Sequence, residues 1–121
     1  MEALYIEDDP VQQRLMFLYM TGMDIKLHMA DNGTDGLAIA HKVLPSFIIT
    51  DLFVPGLDGI TLLRVLKEDN RLQNIPVIVT TADLLIHDKF DVWSMGAAAC
   101  LFKPVSRGKL EEILGQLFPN F

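Results

Sequence analysis

Hydrophobic residues in this chain fall into two alternating kinds of segment. Residues 3–6, 47–49, 77–79 and 98–102 are apolar on successive positions. Each run is too short for a helix, and apolarity without alternation suits a strand covered on both faces. A fifth segment, Ile25-Lys26-Leu27-His28-Met29, alternates apolar with polar. That is the pattern of an edge strand with one wetter face. Between these runs apolar residues recur at helical spacing. Val11, Leu15, Leu18 and Tyr19 share a face, as do Leu37, Ala40, His41 and Leu44. The same spacing holds for Ile60, Leu63 and Leu66, for Ile86, Phe90 and Trp93, and for Leu110, Ile113, Leu114 and Leu117.

Punctuation agrees with these boundaries. Asp9-Pro10 reads as an N-cap followed by proline in the first turn. Asp58, Asp83 and Ser106 are further cap candidates, and Gly22 and Gly96 stand where left-handed C-caps fall. Strand and helix therefore alternate five times. This order predicts a parallel, doubly wound α/β sheet with helices on both faces and right-handed crossovers. No repeat, linker or low-complexity stretch interrupts it, so residues 1–121 are expected to form one domain.

Composition narrows the picture. The chain is half apolar with about one fifth of its 121 residues charged, enough to bury a core. A net charge of −6 argues against direct nucleic-acid binding, which needs a surplus of Lys and Arg. Cys100 is the single cysteine, so neither an intramolecular disulfide nor a cysteine metal cluster is expected. Acidic residues break up the start of the chain, and no apolar run approaches the ~20 residues of a membrane span. A cytoplasmic protein without a membrane segment is expected. His28, His41 and His87 lie on separate elements without ligand spacing and read as structural or surface residues.

In a doubly wound sheet, ligands collect at the carboxyl ends of the strands. The residues found there are Glu7, Asp8 and Asp9, then Thr50 and Asp51, then Thr80 and Thr81, then Lys103 and Pro104. Each has a plain alternative: a helix cap for Asp9, a turn for Asp51, a strand end for Thr81, a surface lysine for Lys103. Their occurrence at four successive strand ends is what makes a site. Crowded carboxylates repel unless a cation neutralises them, and magnesium needs only one or two. A lysine and a hydroxyl beside them could balance a phosphoryl group, and a carboxylate could accept it as an acyl phosphate.

These residues bring the chain to a known family. Ile6-Glu7-Asp8-Asp9-Pro10 resembles the acidic opening of response-regulator receiver domains, the phosphoacceptor modules of two-component systems. Asp51-Leu52-Phe53-Val54-Pro55-Gly56-Leu57-Asp58-Gly59 is similar to the segment around the phosphorylated aspartate. Pro76-Val77-Ile78-Val79-Thr80-Thr81-Ala82 resembles the fourth strand, and Phe102-Lys103-Pro104 the Lys-Pro pair. The resemblance implies a flavodoxin-like three-layer sandwich with strand order 2-1-3-4-5 and five helices. It makes Asp51 the phosphoacceptor, with Thr81 and Lys103 contacting the phosphoryl oxygens. It assigns Mg2+ to Asp8, to Glu7 through water, to Asp51 and to the backbone carbonyl of Phe53, and it implies a cis peptide before Pro104. The partners it implies are a sensor histidine kinase or histidine phosphotransfer protein, and a downstream effector or output domain. A phosphorylation-dependent dimer is also compatible. Such a domain is a switch that promotes only its own phosphorylation and dephosphorylation, not an enzyme acting on other substrates.

Two positions depart from the family pattern. Many receivers carry Tyr or Phe three residues before the lysine, where this chain has Cys100. Switching is therefore expected to rely on the loop after Thr81 and on the following helix. Phe53, two residues after the aspartate, is expected to obstruct water and slow loss of phosphate, its alternative being a hydrophobic loop anchor. Trp93 is a core or half-exposed residue with an output-surface role as the alternative. Two rival functions share part of this residue set. A phosphatase of the haloacid dehalogenase type uses a nucleophilic Asp but usually needs a second Asp two residues later, where Phe53 stands. A docking module without phosphorylation would have no need of the intact Glu7, Asp8, Asp51, Thr81 and Lys103 set.

Overall fold

The computed structural model describes residues 1–86 and 91–120. Strands β1 (Glu2–Ile6), β2 (Lys26–Ala30), β3 (Phe47–Asp51), β4 (Val77–Thr81) and β5 (Ala99–Phe102) alternate with helices α1 (Pro10–Gly22), α2 (Gly33–Val43), α3 (Gly59–Glu68) and α4 (Arg107–Leu117). All strand pairs are parallel and the order is β2-β1-β3-β4-β5. This is the expected flavodoxin-like topology.

The unbroken apolar runs became the central strands, because those strands have a helix layer on each side. Every residue of β3 and β4 is buried. Leu4, Ile6, Ile48, Val77 and Val79 meet Ala40 of α2 and Leu62, Leu63 and Leu66 of α3. Ala3, Tyr5, Phe47, Ile49, Ile78 and Leu101 meet Met16 and Met20 of α1 and Leu110 and Leu114 of α4. Full burial of each large side chain is worth about 2–3 kcal/mol. The alternating segment became β2, an edge strand with only Ala30 buried.

Four side chains cap the helices by accepting a backbone N–H: Asp9 from Val11 at 2.9 Å, Asn32 from Asp35 at 2.8 Å, Asp58 from Thr61 at 3.0 Å and Ser106 from Lys109 at 3.1 Å. Asp83 accepts from Leu85 in the turn after β4.

Two expectations need correction. On α1 the buried residues are Met16 and Met20, whereas Val11 and Leu18 are exposed. The helix carries two apolar stripes one residue apart, and periodicity does not choose between them. Gly22 ends α1 as an ordinary helical residue; the left-handed position is Asp24, with φ 58°. Gly96 does adopt φ 103°. Four helices are seen among the described residues. His87 and Phe90 of the expected fourth helix lie outside them. Residues 92–96 form turns, with Asp91 Oδ1 accepting the Ser94 N–H at 3.1 Å.

Candidate functional site at the carboxyl edge of the sheet

Strand register assembles the site. Ile6 pairs with Thr50, so Glu7 at the next step reaches Asp51. Asp51 pairs with Thr80, and Thr81 pairs with Phe102, which presents Lys103 one residue on. The Lys103 backbone N–H donates to Thr81 O at 2.8 Å, extending the ladder by one bond. The Lys103–Pro104 peptide is cis, as expected.

The loop from β3 to α3 holds Asp51 in place. The Phe53 N–H donates to Asp51 Oδ1 at 3.2 Å, and the Gly59 N–H to Leu52 O at 3.0 Å. Gly56 turns the loop at φ 75°, a conformation that glycine, lacking a Cβ, adopts without steric penalty. At Gly59 a Cβ would lie 2.5 Å from the Asp51 carbonyl oxygen. Glycine there lets α3 start directly against the phosphoacceptor candidate.

Lys103 Nζ donates to Asp51 Oδ2 at 2.7 Å and also to Glu7 Oε1. Asp8 stands beside them exposed, and carboxylate oxygens of Glu7, Asp8 and Asp51 all lie within 4.8 Å of one another. Glu7 is 1% exposed. Burial pushes its carboxyl pKa up, Lys103 opposes the shift, and Asp51 adds to it. For Lys103 burial alone would lower the ammonium pKa, but the hydrogen bonds and charges of Asp51 and Glu7 reverse this and raise it. Three carboxylates against one ammonium leave two negative charges, which one divalent cation would balance. Thr81 is fully buried, and its Oγ1 accepts the Asp83 N–H at 3.0 Å.

A family model for the response regulator receiver domain matches residues 3–115. The chain belongs to this family. As a receiver domain it is similar to the transcriptional regulator RpaA of Synechocystis, with 36% identity over 94% of this chain and 46% of the relative. The chain spans about half the length of curated relatives such as this one and Rre1. A putative response regulator from Chloroflexus aurantiacus superposes with a TM-score of 0.90, 25% identity and 98% of each chain covered. The receiver domain of the Pseudomonas aeruginosa sensor histidine kinase PA1611 gives a TM-score of 0.87 at 26% identity, covering 95% of this chain and 94% of that one. That structure is described with a magnesium ion coordinated in its active site cleft. No helix among the described residues is long and apolar enough to cross a membrane.

The structure brings Glu7, Asp8, Asp51 and Lys103 together as expected, with Thr81 at the neighbouring strand end. It also adds two residues that the sequence did not single out, Tyr5 and Gln13, and gives Thr80, named at its strand end, a distinct environment. Tyr5 is buried on the same side of β1 as Glu7. Burial first, then the Glu7 and Asp51 charges, push its phenol pKa up, so it stays protonated beneath the carboxylates. Thr80, the register partner of Asp51, has a buried hydroxyl without a hydrogen-bond partner among the described residues. Gln13 of α1 reaches back to the Glu7 backbone. For Tyr5 the available sequence signal was strand position, one pleat before Glu7. Nothing in the helical period marked Gln13.

Proposed function

We propose that this receiver domain, formed by the chain 1–121 as one unit, accepts a phosphoryl group on Asp51 in a Mg2+-dependent reaction. The supporting observation is Lys103, bonded at once to Asp51 and Glu7, with Asp8 completing an acidic cluster of net charge near minus two. The donor is a phosphohistidine on a sensor kinase or histidine phosphotransfer protein. An Asp51 carboxylate oxygen attacks phosphorus, the P–N bond breaks, and the electron pair leaves with the imidazole. The product is an acyl phosphate.

Asp8, Asp51, the Phe53 carbonyl and, through water, Glu7 would hold the cation, whose charge would offset that of the phosphoryl oxygens. The magnesium described in the active site cleft of the similar PA1611 domain supports magnesium as the cation. Lys103 would move from its carboxylate partners to a phosphoryl oxygen, and the Thr81 hydroxyl would donate to another. The exposed apolar residues Val11 and Leu18 on α1, which begins just after Asp9, offer a surface for the donor protein. A downstream effector or output domain would read the phosphorylated form.

The test is incubation with a small-molecule phosphodonor and magnesium, read by intact mass. One phosphate adduct is expected for the native chain and none for Asp51→Asn. An adduct of equal yield in Asp51→Asn would overturn the assignment, and multiple turnover of unrelated phosphate esters would favour an enzyme.

A further inference from the structure

Gln13 lies in the first turns of α1, where its backbone N–H donates to Asp9 O at 3.0 Å. Its side-chain amide nitrogen donates to Glu7 O at 2.6 Å and to Asp31 Oδ1 at 2.7 Å. One half-buried side chain thus links the end of β1 to the loop after β2.

The reason lies in how the ladder ends. Ile6 pairs with Ala30, and the Glu7 N–H still donates to Ala30 O at 3.0 Å. Beyond Ala30 the chain leaves the sheet. Asn32 turns to cap α2, so the β2 N–H that would next meet the Glu7 carbonyl is withdrawn. The Gln13 amide supplies a donor in its stead. Its second N–H bonds a carboxylate, and a charge-assisted bond of this kind fixes the amide plane that the first bond requires. The Glu7 backbone is the point from which the Glu7 and Asp8 side chains depart, and Asp8 N–H itself donates to Glu7 Oε2 at 3.1 Å.

We propose that Gln13 is a positioning residue for the cation site: by bonding the Glu7 carbonyl and Asp31 together it sets where the Glu7 and Asp8 carboxylates stand, and so the affinity for a divalent cation. The inference rests on the phosphoacceptor reading above.

The test is calorimetric titration of the 121-residue chain with magnesium chloride, beside its thermal unfolding midpoint in chelator. Gln13→Met keeps the stem and removes both N–H groups. It should raise the magnesium dissociation constant roughly tenfold, the low end for loss of an outer-shell hydrogen bond. Gln13→Arg keeps donors and should stay close to the native value. Asp31→Ala removes the acceptor that orients the amide and should give a smaller rise, about threefold. Asp31→Asn, which loses charge but keeps an acceptor oxygen, should change little. If Gln13→Met does not fold, the Asp31 pair and Gln13→Arg carry the comparison. Native affinity in both Gln13→Met and Asp31→Ala, even with a lowered unfolding midpoint, would reduce Gln13 to a structural role. So would equal weakening in Gln13→Arg and Gln13→Met. Failure of the native chain to bind magnesium would remove both readings together, which distinguishes that result from failure of the Gln13 role alone.

Discussion

Two residues give this site its individual character. Phe53 is 55% exposed, so its ring is not a buried loop anchor, and its N–H bonds the Asp51 carboxylate. A ring on that loop is suited to obstructing water. Phe53→Asn should therefore speed loss of phosphate from the acyl phosphate roughly tenfold, equal to ~1.4 kcal/mol in the barrier. Radiolabel release after removal of the donor measures this, and an unchanged or slower rate would count against shielding. Cys100 is half-buried against the core shared with α2 and α3, and burial pushes its thiol pKa up. A protonated thiol is a poor nucleophile, so Cys100 acts here as a small, half-buried packing residue.

At the scale of elements, the ends of helices and strands control the site. Asp58 accepts from the Thr61 N–H and from its hydroxyl, both at 3.0 Å, and so starts α3 beside the Asp51 loop. The Thr61 N–H is the leading cause holding the Asp58 carboxyl below its ordinary value of 3.8. A lowered folded pKa means that the stabilisation is present above the unfolded value and is lost as pH falls through the folded one. Asp58→Ala should cost about 1 kcal/mol at neutral pH. The gap from the native chain should narrow once pH drops below the ordinary aspartate range, as urea unfolding at each pH would show. A gap that widens in acid would contradict the cap argument.

The turn after β4 is a second such end. Thr81 Oγ1 already accepts the Asp83 N–H at 3.0 Å. Rotating that hydroxyl toward a phosphoryl group weakens this bond and loosens the turn. Amide spectra of the free domain and of a phosphate-mimic complex should show large shifts within residues 82–86 and 91–95. Shifts confined to the metal-site loops would refute switching through this segment. Cys100, on the adjoining strand, offers no aromatic ring to carry the change.

For the whole molecule, a cation that binds only the folded state stabilises all of it. Magnesium at a hundred times its dissociation constant should add about 2.7 kcal/mol, raising the unfolding midpoint by roughly 10 °C. Chelator should reverse the gain, and Asp8→Asn should lose most of it. An unfolding midpoint indifferent to magnesium would argue against the cation site.

The same scale separates what could be read from sequence. The strands, their parallel order and the acidic, hydroxyl and amine residues at their ends were legible, because an unbroken apolar run or a 3.6-residue period is a local property of the chain. Caps at Asp9, Asp58 and Ser106 were legible for the same reason: a cap bonds residues two or three positions away. Three things were decided only by tertiary structure. One was the choice of Met16 and Met20 over Val11 and Leu18 as the buried stripe of α1, since both stripes are apolar and only the sheet selects one. Another was the bond from Gln13 to Glu7 and Asp31, which joins the end of β1 to the loop after β2. The last was the meeting of Lys103 with Asp51 and Glu7, 52 and 96 residues away in sequence. Sequence names those three residues, but parallel register brings their charges together, and register is set by contacts between distant segments.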